Sequence, residues 1–323
     1  MPGLLERLGV AVPVVQAGMG GGISRHELAT AVSEAGGLGT IAVNGAAAIA
    51  RELRAARALT DRPLAVNVLL PFARRDWFEA AAQADVVVTF WGKPRRRTPG
   101  VWLHQCGSVE EAQAAAVAGA DGLIVQGVEA GGHVRGRLPA HDLLARVRSA
   151  LGASAPPLLL AGGIAERADV RAALEAGAEA AVAGTRFLLS GESRAHQRYV
   201  ERALAARETV LTELFGLGWP APHRVVPNAA TEWWLRDGTH PQGPLLLRAL
   251  NRASGVGARW LPLAVQARLA TAQRPNGRLL TPVPATDDAP ATLVDAGPLY
   301  AGETVARIGD VRSAAELVTA LTP

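Results

Sequence analysis

The residues best placed to do chemistry lie in one stretch, Gln126-Gly127-Val128-Glu129-Ala130-Gly131-Gly132-His133. Its two paired glycines allow positive φ and let a ligand approach bare main chain. The histidine beyond them ordinarily titrates at a pKa near ~6.5, so it can exchange a proton at neutral pH. His133 is therefore the candidate catalytic residue, read as a general base. Glu129 reads as a loop hydrogen-bond or ion-pair partner rather than a second base. His26, His104, His141, His196, His223 and His240 show no metal-ligand spacing, and no metal site is expected. Cys106 is the single cysteine, so no disulfide forms within the chain and no Cys-based zinc site is spelled out. It reads as a small buried packing residue. Gln105 beside it can point a neutral amide into a cleft.

Two further glycine-rich turns, Ala161-Gly162-Gly163-Ile164 and Ala183-Gly184-Thr185-Arg186, follow short apolar runs. Bare amides at such turns, one hydroxyl and the N-terminus of a following helix suit a phosphate. No Walker lysine follows either pair, which argues against a nucleoside triphosphate. Gly18, Gly20, Gly21 and Gly22 follow the first apolar run at the wrong spacing for a dinucleotide fingerprint. A mononucleotide with a flat ring suits the apolar floor around Met19.

Apolar, β-rich runs and Ala-rich helical stretches must position these turns. Strands are expected at 12–17, 38–43, 64–69, 86–90, 101–104, 122–125, 157–161 and 180–183. Helices are expected between them, including one capped by Ser24 and running to Ala35, and one capped by Ser108 with Glu111 three residues on. Eight short buried strands separated by helices predict a closed (β/α)8 barrel, with a doubly wound sheet as the competing layout. In a barrel, all these turns fall at the C-terminal ends of strands, where function resides. After Arg186 the alternation fades. A helix is expected over 192–214, then Trp219, Trp233, Trp234 and a Pro-rich stretch. The expected organisation is a barrel of residues 1–189 and 291–323 with an inserted, smaller, mostly helical domain of 190–290 covering the active-site mouth. The tryptophans read as core of that insertion, Tyr300 as a residue lining the cleft, and 314–321 as an amphipathic helix packing back on the barrel.

The 323 residues suffice for such a core, and the apolar and charged fractions are those of a soluble globular chain. The formal charge of +4 owes much to Lys93, Arg95, Arg96 and Arg97. That run reads as a solvated loop, with a bound anion the next reading, and no nucleic-acid partner is expected. No signal core and no spanning apolar run is evident, so cytoplasmic residence is the default and no membrane partner is expected.

Taken together, the chain resembles the nitronate monooxygenase family, formerly called 2-nitropropane dioxygenases. The resemblance rests on Gln16-Ala17-Gly18-Met19-Gly20-Gly21, Ala35-Gly36-Gly37-Leu38-Gly39, Asn67, Gln126 through His133, Ala161-Gly162-Gly163-Ile164 and Gly184-Thr185-Arg186-Phe187, and returns at Pro298 to Glu303. It implies an FMN-dependent TIM barrel with an inserted smaller domain. By that likeness Ala17, Gly18 and Met19 lie against the flavin ring, and Asn67 and Gln126 hydrogen-bond it or the ribityl chain. Gln105, Gly131, Gly132 and Gly162 join the cofactor-binding set, with Gly163, Gly184 and Thr185 at the phosphate. His133 takes the position of the family's base, and the implied reaction oxidises an alkyl nitronate with O2 to a carbonyl compound and nitrite. The implied partners are a small-molecule nitronate or other flavin-reactive acid and O2, with a homodimer left open. The runner-up is an NAD(P)H-dependent flavin reductase, of the enoyl-ACP reductase or quinone reductase kind. A flavoprotein without turnover is a third class, against which the intact Gly-Gly-His loop argues. Two departures stand out: Gly18 where the family usually carries proline, which loosens that turn, and Val134-Arg135-Gly136 after the histidine.

Overall fold

The computed structural model describes residues 3–236, 238, 242–255 and 263–323. His240 lies outside the described residues. The chain divides into two compact units, one of residues 1–130, 135–193 and 310–323, the other of 131–134 and 194–309.

The first unit is the expected barrel. Its strands are β1 (Val14–Gln16), β2 (Gly39–Ile41), β3 (Leu64–Leu69), β4 (Val86–Phe90), β5 (Val101–Cys106), β6 (Gly122–Gln126), β8 (Leu158–Ala161) and β9 (Ala180–Ala183); β7 (Gly132–His133) belongs to the second unit. All eight pair in parallel, in the order β1-β9-β8-β6-β5-β4-β3-β2. A parallel bridge between Val15 and Leu38, with Gln16 N–H on Leu38 O (2.9 Å) and Leu38 N–H on Val14 O (3.0 Å), joins the first strand to the second. The sheet thus closes, which abolishes its edges.

Side chains alternate across each strand. Val15, Ala65, Val88, Leu103, Ile124, Leu159 and Val182 cluster on one face, and Leu4, Leu5 and Val10 of the N-terminal segment join them. Val14, Leu123, Val125, Leu158, Leu160, Ala181 and Ala183 belong to a separate cluster with the helices. The first set is the barrel lumen and the second the layer between sheet and helices. The helix Ala314–Leu321 packs into that outer layer through Leu317, Val318 and Leu321, as its amphipathic pattern predicts, behind a Ser313/Glu316 capping box.

Three local expectations are corrected. The helix after β1 is His26–Glu34, and its N-cap position is held by Arg25 rather than Ser24. Ser24 Oγ instead accepts from Met19 N–H (3.1 Å), and Glu52 from the next helix takes the cap by accepting from His26 N–H (3.3 Å) and Nδ1 (2.7 Å). No helix lies between β4 and β5; residues 91–100 cross over without one. Pro94 and Pro99 oppose a helix there. The basic run sits on this crossover and is not merely solvated. The Arg96 guanidinium lies 5.8 Å from the Trp102 ring centroid and pairs with Asp121 (2.7 Å), and Arg97 lies 5.2 Å over Phe78. Their stems and heads cover apolar surface that a helix covers elsewhere. Finally, the long helix expected over 192–214 is only Gln197–Ala205.

The second unit combines helices with an antiparallel three-stranded sheet of β10 (Val210–Thr212), β11 (His223–Val225) and β7. Leu214, Phe215, Val225, Ala230, Leu247 and Leu280 form a core there, with Trp234 and Tyr300 packed against it. Trp219 is buried as expected, but Trp233 is 46% exposed and is not a core residue. Among the described residues no helix is long and apolar enough to cross a membrane.

Candidate active site

Strand parity builds the first part of the site. Asn67 lies two residues after Ala65, Gln105 two after Leu103 and Gln126 two after Ile124, so each continues a lumen-facing series at a strand's C-terminal end. Ala17 packs on the same lumen cluster just past β1. An aliphatic interior is therefore topped by a layer carrying three neutral amides. Asn67 and Gln126 are buried and Gln105 is half-buried. Gln126 Oε1 accepts from Arg135 N–H at 3.1 Å, which fixes its amide orientation.

A Cβ at Gly18 would stand 2.4 Å from Asn67 Cβ and 2.8 Å from Asn67 Cγ. The absent side chain lets the first loop rest directly on Asn67. Met19 is half-buried and packs on the outer core layer, so its backbone, tied to Ser24, shapes the loop. The Gly162-Gly163 turn after β8 has φ of 112° and 77°. Around Gly163 the nearest atoms to an added Cβ are 3.6 Å away, and around Gly184 the nearest is Ala17 Cβ, also at 3.6 Å. Both turns stand at adjacent strand ends, the atom nearest Gly163 being Oε1 of Glu129 and that nearest Gly184 being Ala17 Cβ, with Thr185 buried beside the second. Arg186 is absorbed elsewhere, pairing with Asp310 at 2.7 Å. Glu129 takes the structural role expected of it, accepting from Ala140 N–H (2.9 Å) at the start of the next helix.

His133 lies within the second unit. It lies on β7 opposite His223 of β11. Its ring stacks on Trp219, with centroids 3.6 Å apart and planes 14° from parallel, and tilts toward Tyr300 and His223, each at 5.4 Å. Burial holds the His133 pKa well below its ordinary value, and His223 adds to the shift. His223 itself is pulled down to about 4 by burial. It donates from Nδ1 to Ala221 O (2.9 Å) and accepts at Nε2 from Phe215 N–H (3.2 Å), a tautomer that satisfies both nitrogens when neutral. Burial thus favours the neutral imidazole and makes His133 a weaker base than its residue type suggests. Tyr300 does join this cluster by its ring, while its hydroxyl donates to Pro282 O at 2.9 Å. Gly131 abuts the Ala301-Gly302 backbone, where a Cβ would come within 2.5 Å of Gly302 N; Gly132 has φ 73° and open space. Sequence reasoning passed over His223 and Trp219 as companions of His133, because a two-residue strand pairing with a segment far along the chain leaves no local pattern.

The other buried groups are structural. His104 bonds Thr89 Oγ1 (2.8 Å) inside the sheet, and burial lowers its pKa to about 4. Cys106 is fully buried, as expected of a packing residue, and desolvation pushes its thiol up to about 12.

Known proteins agree with this architecture. A family model described as nitronate monooxygenase matches residues 2–94 and 92–323. The chain belongs to the nitronate monooxygenase family. It is 35% identical to a nitronate monooxygenase of Pseudomonas aeruginosa over 64% of this chain and 74% of that one. It is also 32% identical, over 74% of this chain and 70% of the other, to a Mycobacterium tuberculosis (3aS,4S,5R,7aS)-5-hydroxy-7a-methyl-1-oxo-octahydro-1H-indene-4-carboxyl-CoA dehydrogenase. Among solved structures, a nitroalkane oxidase from Streptomyces ansochromogenes superposes with a TM-score of 0.73 at 28% identity, covering 98% of this chain and 96% of that one. FabK from Thermotoga maritima superposes at 0.75 with 24% identity, over 98% and 94%, a likeness of fold. The family and fold are those of FMN-dependent oxidoreductases, and the chain is an enzyme of that general kind. The neutral amide layer of Asn67, Gln105 and Gln126 suits the polar edge of a flavin ring, and the Gly162-Gly163 and Gly184 turns carry no side chain of their own at the adjacent strand ends.

Proposed function

We propose that this family member is an NAD(P)H-dependent flavin reductase that passes electrons to a conjugated carbonyl acceptor, an enoyl thioester or a quinone. The observation that carries the reading is the neutral, aromatic-caged His133. A nitroalkane oxidised from its neutral form must lose a carbon-bound proton to a base, and an imidazole whose pKa is pushed far down by burial is a poor one. Hydride transfer needs no such base. A neutral imidazole instead offers one N–H donor, suited to orienting and polarising a carbonyl oxygen. The relative named as a dehydrogenase of a carboxyl-CoA compound supports a CoA thioester as a substrate class for the flavin's hydride exchange.

FMN, when bound, supplies the acceptance of a hydride and its return to a second substrate. In this reading Gly162, Gly163, Gly184 and Thr185 hold its phosphate. Asn67, Gln105 and Gln126 orient its ring, with Ala17, Gly18 and Met19 forming the adjoining wall. Gly131, Gly132 and His133 belong to the second unit, where the His133 imidazole offers an N–H suited to a carbonyl oxygen. A second reading, oxidation of preformed nitronates by O2, is supported by the 35% identity to a nitronate monooxygenase and also requires no base.

One experiment separates them. Purified yellow protein is mixed anaerobically with NADH, NADPH or ethylnitronate while the flavin absorbance is followed. Bleaching by a nicotinamide, with colour restored by menadione or crotonyl-CoA without O2, is the expected result. Reduction by the nitronate and by neither nicotinamide would select the second reading.

A further inference from the structure

The three amides at the C-terminal end of the barrel are not held alike. Gln126 is pinned, its Oε1 accepting from Arg135 N–H at 3.1 Å. Arg135 is fixed in turn by its ion pair with Glu111, whose other oxygen accepts from Gly107 N–H at 2.8 Å. Asn67 is short, 9% exposed and wedged under Gly18, its Cγ and Nδ2 lying 2.8 and 3.1 Å from where a Cβ on Gly18 would stand. Gln105 is neither pinned nor wedged. Among the described residues its side-chain amide has no hydrogen-bond partner. Its register partners on the flanking strands are Phe90 and Ile124, whose side chains carry no polar atom. Thr89 and His104 face the other side of the sheet and bond each other there at 2.8 Å.

A glutamine amide carries an acceptor and a donor on one rotatable end. Its last torsion has two broad, nearly equivalent wells, so a half-turn exchanges oxygen for nitrogen. In the half-buried Gln105, leaving both groups without a partner costs free energy, so a ligand at the barrel mouth is what pairs them. A flavin makes a two-sided demand on such a group. A ring nitrogen that offers a lone pair in the oxidised cofactor carries a hydrogen once a hydride has reached it from a reductant, here a dihydronicotinamide, with its electron pair. An acceptor has then become a donor. The pinned Gln126 amide is held in one sense, whereas the Gln105 amide is able to turn.

We propose that Gln105 is a cofactor-binding residue that follows the redox state: its NH2 donates to the oxidised flavin, and after a half-turn its carbonyl accepts from the reduced one. The two states are then held equally, and no hydrogen bond at this position opposes either half of the catalytic cycle. The inference rests on the FMN reading of the site and not on which substrate delivers the electrons. It separates two amides that the sequence presents alike, because the difference lies in Arg135 and Glu111, which reach Gln126 and leave Gln105 alone.

The test compares FMN-loaded wild type with Gln105→Met, which keeps the length of the side chain and cannot donate. Dilution with release of FMN followed by fluorescence gives the Kd of the oxidised cofactor. Dye-equilibrated reduction gives the midpoint potential, and the two together give the Kd of the reduced cofactor. Gln105→Met should weaken both states about fivefold, as loss of one hydrogen bond does, and leave their ratio within about twofold, which is about 9 mV in potential. Reduced-minus-oxidised infrared spectra of wild type should contain a glutamine carbonyl band that moves between states and is missing in Gln105→Met, a signature that a merely structural side chain does not give. Should Met lower the yield of folded protein, Gln105→Asn, which keeps the amide and shortens its reach, is expected to show the same loss in both states. A ratio changed about tenfold, about 30 mV, with one state alone weakened, would make Gln105 a one-way partner and overturn the proposal. Unchanged binding of both states would overturn it as well. Wild-type protein that binds no FMN would overturn the cofactor reading itself, and the proposal with it.

Discussion

Acid should destabilise this protein steeply, and buried histidines set the amount. His104 and His223 are neutral in the fold with pKa values of about 4, and His133 lies well below its ordinary value, all from burial. In the unfolded chain each titrates near ~6.5. Between those limits the unfolded state binds more protons, so stability is full above ~6.5 and is lost as pH falls toward the folded values. At pH 5 His104 and His223 have crossed about 1.5 pH units below ~6.5, which costs about 2 kcal/mol for each of these two. His104 alone thus removes about 2 kcal/mol from the barrel and His223 about as much from the second unit, and His133, also held neutral by burial, adds a loss of the same sign. Those are large fractions of a typical stability of about 5–15 kcal/mol. Urea midpoints at pH 7 and pH 5, followed by far-ultraviolet circular dichroism with the slope checked for constancy, measure the loss. His104→Asn, which keeps a partner for Thr89, should be less stable than wild type at pH 7 but should lose about 2 kcal/mol less on acidification. Equal midpoints at pH 7 and 5 for wild type would refute the claim that these rings are held neutral.

Gly163→Val places a β-branched side chain at φ 77° in the proposed phosphate cradle; purified protein should be colourless, and cofactor released from wild type should chromatograph as FMN rather than FAD. Gly18→Ala sets a Cβ 2.4 Å from Asn67 Cβ. It should cost about 1–3 kcal/mol and displace the Asn67 amide, lowering FMN affinity, and an unchanged melting temperature with full flavin content would contradict it. His133→Ala should keep its flavin and lose about tenfold in turnover with the acceptor, as removal of one orienting hydrogen bond does. Wild-type turnover should carry no His133 titration between pH 6 and 9, and a limb near ~6.5 that disappears in the variant would restore His133 as a base.

The sequence alone determined the barrel, because strand and helix periods and glycine stops are local properties of the chain. The turns that carry the candidate site were legible for the same reason: Gly162-Gly163 and Gly184-Thr185 stand at strand ends whatever the packing does. Even the missing helix between β4 and β5 had its signal in Pro94 and Pro99. What tertiary structure decided is the chemistry of particular side chains. Asn67 explains Gly18, since only the fold brings residues of two different strand ends within van der Waals contact. Trp91 and Arg135 stack although some forty positions of sequence separate them, and no composition or spacing foretells a tryptophan with positive φ. His133 shows the difference most sharply. Its type and loop announced a proton-transfer residue, but its pKa depends on burial against Trp219, His223 and Tyr300, which reach it only through the antiparallel pairing of β7 with β11. Charge is expensive in such surroundings, so it is the packed neighbours rather than the residue type that keep this imidazole neutral.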